Sequence, residues 1–333
     1  MLPLFKETEN KLECLLCPHF CKLPTGKTGI CGVRRNTGEK IELLTYGVVT
    51  GYSLDPVEKK PLYHFFPGYN ILSIGSYGCN LRCDFCQNFN ISQNIPGKMK
   101  AEMTTSEIVT TALSSRKNIG IAFTYNEPVI WFEYMRDTSL AAKKAGLYTV
   151  MVSNGYVNSD PLNEIIQFID AFNIDLKAFN DKFYRKLTGA DLKPVMESLK
   201  QIAKAEKHLE ITTLIIPGQN DSENEMEEQS KWIAGELGKE VPLHLSGYYP
   251  MYKRDDPPTP HETIIRLFET ASGYLDNVYI GNIKSDIGQI TICPKCRTIV
   301  TKRSGYKTEL LNLESDGKCS ICKTLIYKYF TLS

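Results

Sequence analysis

The stretch Ile71-Leu72-Ser73-Ile74-Gly75-Ser76-Tyr77-Gly78-Cys79-Asn80-Leu81-Arg82-Cys83-Asp84-Phe85-Cys86-Gln87-Asn88 carries two signals back to back. Its first five residues form a short apolar run closed by glycine, the pattern of a buried strand. Directly after it come three cysteines spaced Cys-x3-Cys-x2-Cys. Thiolates are soft ligands that suit zinc and iron–sulphur clusters. Three of them on one short loop can wrap one small cluster and leave one metal position free for a substrate or cofactor. A structural zinc site takes four protein ligands. Three therefore speak against zinc, unless a distant His or Asp supplies the fourth.

Outward from this stretch, β-branched runs alternate with helical segments. Strands are predicted at 71–75, 119–123, 148–153, 171–175, 209–215, 243–246 and 278–280. Helices are predicted at 105–114, 129–144, 160–169, 196–205, 223–234 and 260–272. Thr104-Thr105-Ser106-Glu107 offers N-capping side chains, and Lys143-Lys144-Ala145-Gly146 ends a helix with cations and glycine. Strand–helix alternation on this scale implies parallel strands with crossover helices. The fold class is α/β. A complete or partial (β/α) barrel is the first expectation and a doubly wound sheet the second. Polar residues cluster just after the strands, in Thr124-Tyr125-Asn126-Glu127-Pro128, Ser153-Asn154-Gly155 and Asp175-Leu176-Lys177. Strand C-terminal ends form the active face of α/β barrels, so these loops should converge.

The chain has 333 residues, with 39 Lys+Arg against 38 Asp+Glu and a net charge of +1. That balance gives nucleic acid and acidic membranes no electrostatic reason to be main partners. No signal-peptide pattern opens the chain, and no apolar run reaches the roughly 18 residues that span a bilayer. The expected location is the cytoplasm. All eleven cysteines fall into three groups, of four, three and four. Disulfides and stray core cysteines would not sort this way; metal sites do. Cys293-x2-Cys296 and Cys319-x2-Cys322 are two knuckles, the usual pattern of a structural zinc ribbon. Cys14, Cys17, Cys21 and Cys31, set among turn-forming glycines, suit either zinc or an auxiliary [4Fe-4S] cluster. His19 is an alternative ligand there.

The three-cysteine motif with Phe85 before its last cysteine, following a first barrel strand, resembles the signature of radical S-adenosylmethionine (SAM) enzymes. The resemblance implies a [4Fe-4S] cluster on Cys79, Cys83 and Cys86 whose open iron chelates SAM. It also implies reductive cleavage of SAM to methionine and a 5′-deoxyadenosyl radical, under anaerobic conditions. Thr124–Pro128 stands where the family carries Gly-Gly-Glu-Pro, which assigns Asn126 and Glu127 to the methionine ammonium. Ser153, Asn154 and Asp175 would bind cofactor, and Lys177 and His244 would act at the substrate end, by similarity to activating enzymes of glycyl-radical proteins. Those activators read Asp-Thr-Asn-Gly at the third strand, whereas this chain reads Val152-Ser153-Asn154-Gly155. Across the chain, Cys14–Cys21, Asp55–Phe65, Thr212–Gly218 and Pro257–Pro260 resemble the radical SAM component of the AmmeMemoRadiSam system. That implies Memo-like and AMMECR1-like neighbours. Gly247 follows Ser246 where that family commonly has Arg.

Three segments are expected: a four-cysteine metal-binding segment at 1–65, a radical SAM core at 66–288 and a zinc-ribbon-like module at 289–333. The leading functional expectation is an oxidoreductase- or activase-like radical enzyme abstracting hydrogen from an unidentified substrate, a protein among the candidates. A flavodoxin or ferredoxin would serve as its reductant. The alternatives are activation of a glycyl-radical enzyme, RNA modification or binding through the ribbon, and a non-enzymatic electron carrier.

Overall fold

Residues 3–96 and 102–331 are described by the computed structural model. The N-terminal segment has two small antiparallel sheets; Cys14 ends one strand, and Cys17, Cys21 and Cys31 lie in the loops between strands. One joins β1 (Phe5–Thr8), β2 (Lys11–Cys14) and β3 (Lys22–Leu23); the other joins β4 (Arg34–Asn36) and β5 (Ile41–Leu43). Leu16, Val33 and Val48, in the loops beside these sheets, belong to the same core cluster as the barrel residues Ile74 and Ile121. The Cys-rich segment is thus packed on the barrel, with no separate core of its own.

An eight-stranded sheet follows: β6 (Gly51–Pro56), β7 (Asn70–Gly75), β8 (Asn118–Phe123), β9 (Tyr148–Ser153), β10 (Ala171–Asp175), β11 (His208–Ile215), β12 (Leu243–Gly247) and β13 (Val278–Gly281). The seven predicted strands are all present, within one residue at each end. β7 to β13 pair in parallel and in strict chain order, and β6 adds antiparallel to β7. Strict order has no switch point, so successive right-handed crossovers all place their helices on one face. The sheet is of barrel type and not doubly wound. Its edges, β6 and β13, do not pair with each other, which leaves the barrel partial. The sheet takes in β6, which lies before residue 66.

The helices are α1 (Phe89–Ser92), α2 (Thr105–Ser114), α3 (Phe132–Lys144), α4 (Ser159–Phe168), α5 (Asp181–Phe183), α6 (Leu192–Lys204), α7 (Glu223–Glu236) and α8 (His261–Ser272). At α2 the expected cap is a full capping box between Thr104 and Glu107. The helix expected from 129 begins as a 3-10 turn, Pro128–Trp131, before α3. Trp131 is buried there and donates its indole N–H to the Thr45 carbonyl at 2.7 Å. α6 starts at Leu192, ahead of the expected 196. Pro194 sits in its first turn, where a missing N–H costs nothing.

The C-terminal module is an antiparallel sheet of β14 (Ile290–Ile292), β15 (Ile299–Ser304) and β16 (Lys307–Leu310). It is anchored by Arg303, whose guanidinium lies 4.1 Å from the Tyr63 ring and donates to the Tyr63 carbonyl at 2.9 Å. Thr308 donates to Glu58 at 2.6 Å. No helix among the described residues is long and apolar enough to cross a membrane.

At this junction His64 is half-buried, and its ring bonds the Tyr279 hydroxyl at 2.7 Å. Burial pushes its pKa from the ordinary 6.5 down to about 3. A depressed histidine pKa contributes stability above the unfolded value, and that stability is lost as pH falls towards the folded one. Thermal stability should therefore decline as the pH drops below about 6.5, and His64→Gln should flatten that decline. Melting temperatures of both proteins between neutral pH and about pH 5 check this.

Candidate active site

The loop after β7 holds Cys79, Cys83 and Cys86 at the mouth of the barrel. Its backbone is pinned from neighbouring elements. Gly78 N–H donates to Ile91 O at 2.8 Å, Arg82 N–H to Thr188 O at 2.8 Å and Asp84 N–H to Leu187 O at 3.1 Å. Gly78 has φ +88°, and a Cβ there would lie 2.6 Å from the Cys31 carbonyl. Only glycine lets the N-terminal segment approach the loop so closely.

The three cysteines open into a cavity of about 490 Å³, within the roughly 300–1,000 Å³ of small-molecule sites. Asn126, Glu127, Ser153, Asn154, Asp175, Lys177 and His244 all line it. Every cofactor or catalytic residue expected from the strand-end loops thus faces the cavity of the three cysteines. β8, β9, β10 and β12 each deliver theirs at or near the strand's C-terminal end, except His244, which lies near the start of β12.

Glu127 ties two of these ends together. Its carboxylate accepts from Ser153 Oγ at 2.7 Å, from Asn154 N at 2.9 Å and from Val129 N at 2.9 Å. Burial still pushes its pKa up to about 7 against those donors. Asn154 reaches from β9 to the cysteine loop, with Nδ2 at 2.9 Å from Asn80 Oδ1 and 3.7 Å from Cys79 Sγ. The Asn126 side chain is spent on the loop backbone, accepting from Ser76 N and donating to Tyr77 O and Gly78 O. Lys177 pairs with Asp175 at 2.7 Å. Burial alone would favour loss of the lysine's proton, but Asp175 outweighs it and the pKa rises.

His244 bonds Glu210 at 2.7 Å through Nε2. Glu210 is fully buried and also accepts from His208 Nε2, Tyr63 N and His64 N. Burial opposes its charge, yet the two imidazoles hold its carboxyl well below the ordinary range. With His244 bound to Glu210 and Asp175 to Lys177, both candidate fourth ligands in the cavity are engaged elsewhere. The donor set facing the cavity is three thiols, which fits a cluster with one open iron.

Several residues without an assigned role also line the cavity. Lys59, Lys60 and Tyr63 do so from the segment after β6, Tyr125 from the loop after β8, and Tyr306 from the β15–β16 turn. Asp55 gathers Lys59 at 2.9 Å, Lys60 at 2.8 Å and the Tyr125 hydroxyl at 2.9 Å. A register pairing β6 with β7 was the missing information; Asp55 sits opposite Ile71 in it.

The C-terminal cysteines form a different kind of site. Cys293, Cys296, Cys319 and Cys322 place their sulphurs within 4.8 Å of one another. Cys293 and Cys322 are 3.4 Å apart and Cys296 and Cys319 3.6 Å, spacings that fit a single tetrahedral ion.

Known proteins bear on this geometry. The sequence model of the radical SAM superfamily matches residues 73–229. An uncharacterized protein of Methanocaldococcus jannaschii is 40% identical over 323 residues, covering 95% of both chains. The chain belongs to the radical SAM superfamily. It is also 25% identical over 183 residues to the pyruvate formate-lyase 1-activating enzyme of Escherichia coli K12, covering 53% of this chain and 73% of that protein. In fold it is similar to a radical SAM methyltransferase from Sphaerobacter thermophilus, with a TM-score of 0.52 and 15% identity over 65% of this chain and 67% of that one. Membership makes the protein an enzyme and implies a [4Fe-4S] cluster and SAM.

Proposed function

We propose that Cys79, Cys83 and Cys86 ligate the [4Fe-4S] cluster, and that SAM occupies the adjoining cavity. When bound, the cluster supplies one electron that cleaves SAM to methionine and a 5′-deoxyadenosyl radical. Glu127 accepts from the SAM amino group, with Asn126, Ser153 and Asn154 holding that carboxylate and the cysteine loop in register. Asp175 takes a hydroxyl-bearing part of the cofactor, with Lys177 orienting it. Lys177 and His244 face the substrate side, where Tyr125 and Tyr306 complete the wall and exclude water. The carrying observation is that all twelve residues line one cavity.

The substrate reading is hydrogen abstraction from a molecule yet to be identified, with a protein as one candidate. Activation of a glycyl-radical enzyme is the second reading, favoured by the similarity to the pyruvate formate-lyase activator and by Asp175-Leu176-Lys177 at the cavity. Val152 in place of the activators' acid counts against it. A low-potential flavodoxin or ferredoxin is the proposed donor. Memo-like and AMMECR1-like proteins are proposed partners, from the motifs shared with that system. Zinc is the proposed ion of the C-terminal ribbon, since four thiolates at tetrahedral spacing suit it. The core runs from β6 to β13, between the two cysteine-bearing segments.

Anaerobically reconstituted protein given SAM and dithionite should release 5′-deoxyadenosine and methionine. A fully loaded cluster that yields neither rejects the proposal. Glu127→Gln keeps the shape of the side chain and removes its charge. Its SAM dissociation constant should rise about tenfold, ~1.4 kcal/mol. Anaerobic equilibrium binding measures this, and an unchanged constant places the amino group elsewhere.

A further inference from the structure

We infer that Cys14, Cys17, Cys21 and Cys31 hold a second [4Fe-4S] cluster rather than zinc, set beside the SAM-binding site. The four cysteines line one small cavity whose other walls include Leu16, Leu23, Ile30 and Ile130. Geometry separates the two metals. A zinc–sulphur bond of about 2.3 Å holds four sulphurs close together around one ion. A cubane carries each thiolate on a different iron corner and spreads them apart. Among the described residues, only the C-terminal four cysteines bring their ligand atoms within 4.8 Å. The N-terminal four do not, and neither do Cys79, Cys83 and Cys86. The chain thus contains its own standards. The N-terminal set, like the cluster loop, is spread more widely than the zinc-like ribbon.

One further feature points to an anionic occupant. Arg34 lines the same cavity with its side chain only 2% exposed. Its terminal nitrogens grip Glu133 at 2.7 Å each, while its Nε–H has no partner. A buried guanidinium with a free N–H beside four thiols is built to neutralise a cluster and to hydrogen-bond its sulphur.

The site also has two sides. Ile30 is exposed on one. On the other the wall is Asn80, next to Cys79, and His19 Nε2 lies 2.7 Å from the Asn80 carbonyl. The second cluster therefore lies between solvent and the cluster loop, where a low-potential one-electron donor can reach it.

The inference uses the reading of Cys79, Cys83 and Cys86 as a standard, and one experiment separates the two. The full chain is reconstituted anaerobically with iron and sulphide, and metals and acid-labile sulphide are counted. Wild type should hold about eight irons, and Cys79→Ala/Cys83→Ala/Cys86→Ala about four, with a cubane EPR signal after dithionite reduction. An iron-free triple variant holding two zinc ions overturns the inference and leaves the SAM-cluster reading intact. Four irons in both proteins supports the inference and overturns the other. Should the triple variant not fold, Cys17→Ser/Cys31→Ser decides. It should lose about four irons while SAM still perturbs the remaining EPR signal. Retention of all wild-type iron overturns the inference.

Discussion

Cys83→Ala is expected to abolish 5′-deoxyadenosine formation and to remove about four irons per chain, leaving the metal of the C-terminal ribbon in place. Cys83 is buried at the centre of the loop, between two backbone hydrogen bonds that fix its neighbours Arg82 and Asp84. Two remaining thiols are too few to hold a cubane, and the histidine and aspartate that line the cavity are already paired. His244 is held by Glu210 and Asp175 by Lys177. The ribbon's four thiols form a cluster of their own with Val300, Leu313 and Ile326, and Cys83 is not part of it. Metal analysis and product chromatography on the same sample read both halves. Product above background from Cys83→Ala would contradict the assignment.

The largest stability effect should come from Glu210→Ala. Its buried carboxylate accepts four hydrogen bonds, two from imidazoles and two from the backbone at Tyr63 and His64. Removing one side of a buried charged network costs roughly 3–5 kcal/mol, because the partners stay buried without acceptors. The melting temperature should fall by roughly 10 °C. The segment carrying Tyr63 bridges the open edge of the barrel to the ribbon through Arg303, so the loss should loosen that seam first. Glu210→Gln keeps an acceptor oxygen and should lose less. Thermal unfolding of the three proteins checks the order. Equal melting temperatures would mean the network carries no stability.

Much of this was legible in the sequence. The strands showed because apolar β-branched runs buried on both faces leave a near-continuous signal, as in Ile71–Ile74 and Ile119–Phe123. The cavity residues showed because they follow those runs directly. What escaped depends on pairing rather than pattern. β6 is half exposed and carries Asp55 and Pro56, so nothing local marks it as a sheet edge. Glu210 lies inside an apolar strand, and its importance appears only when His208, His244 and the 63–64 backbone converge on it. Tyr306 sits in a hairpin turn whose sequence suits a surface loop, and only docking of the ribbon brings it to the cavity. Arg34 likewise reads as one of many charges until Glu133, distant in sequence, binds it in the interior.

The most direct test concerns the open iron position left by three thiols on one cluster. SAM carrying an isotopic label on its methionine amino nitrogen is added to the dithionite-reduced enzyme, and electron–nuclear double resonance is recorded. Direct coupling of that nitrogen to the cluster is the result expected here, and it should vanish in Cys83→Ala. A reduced, fully loaded cluster whose spectrum is unchanged by SAM and shows no such coupling would contradict the account.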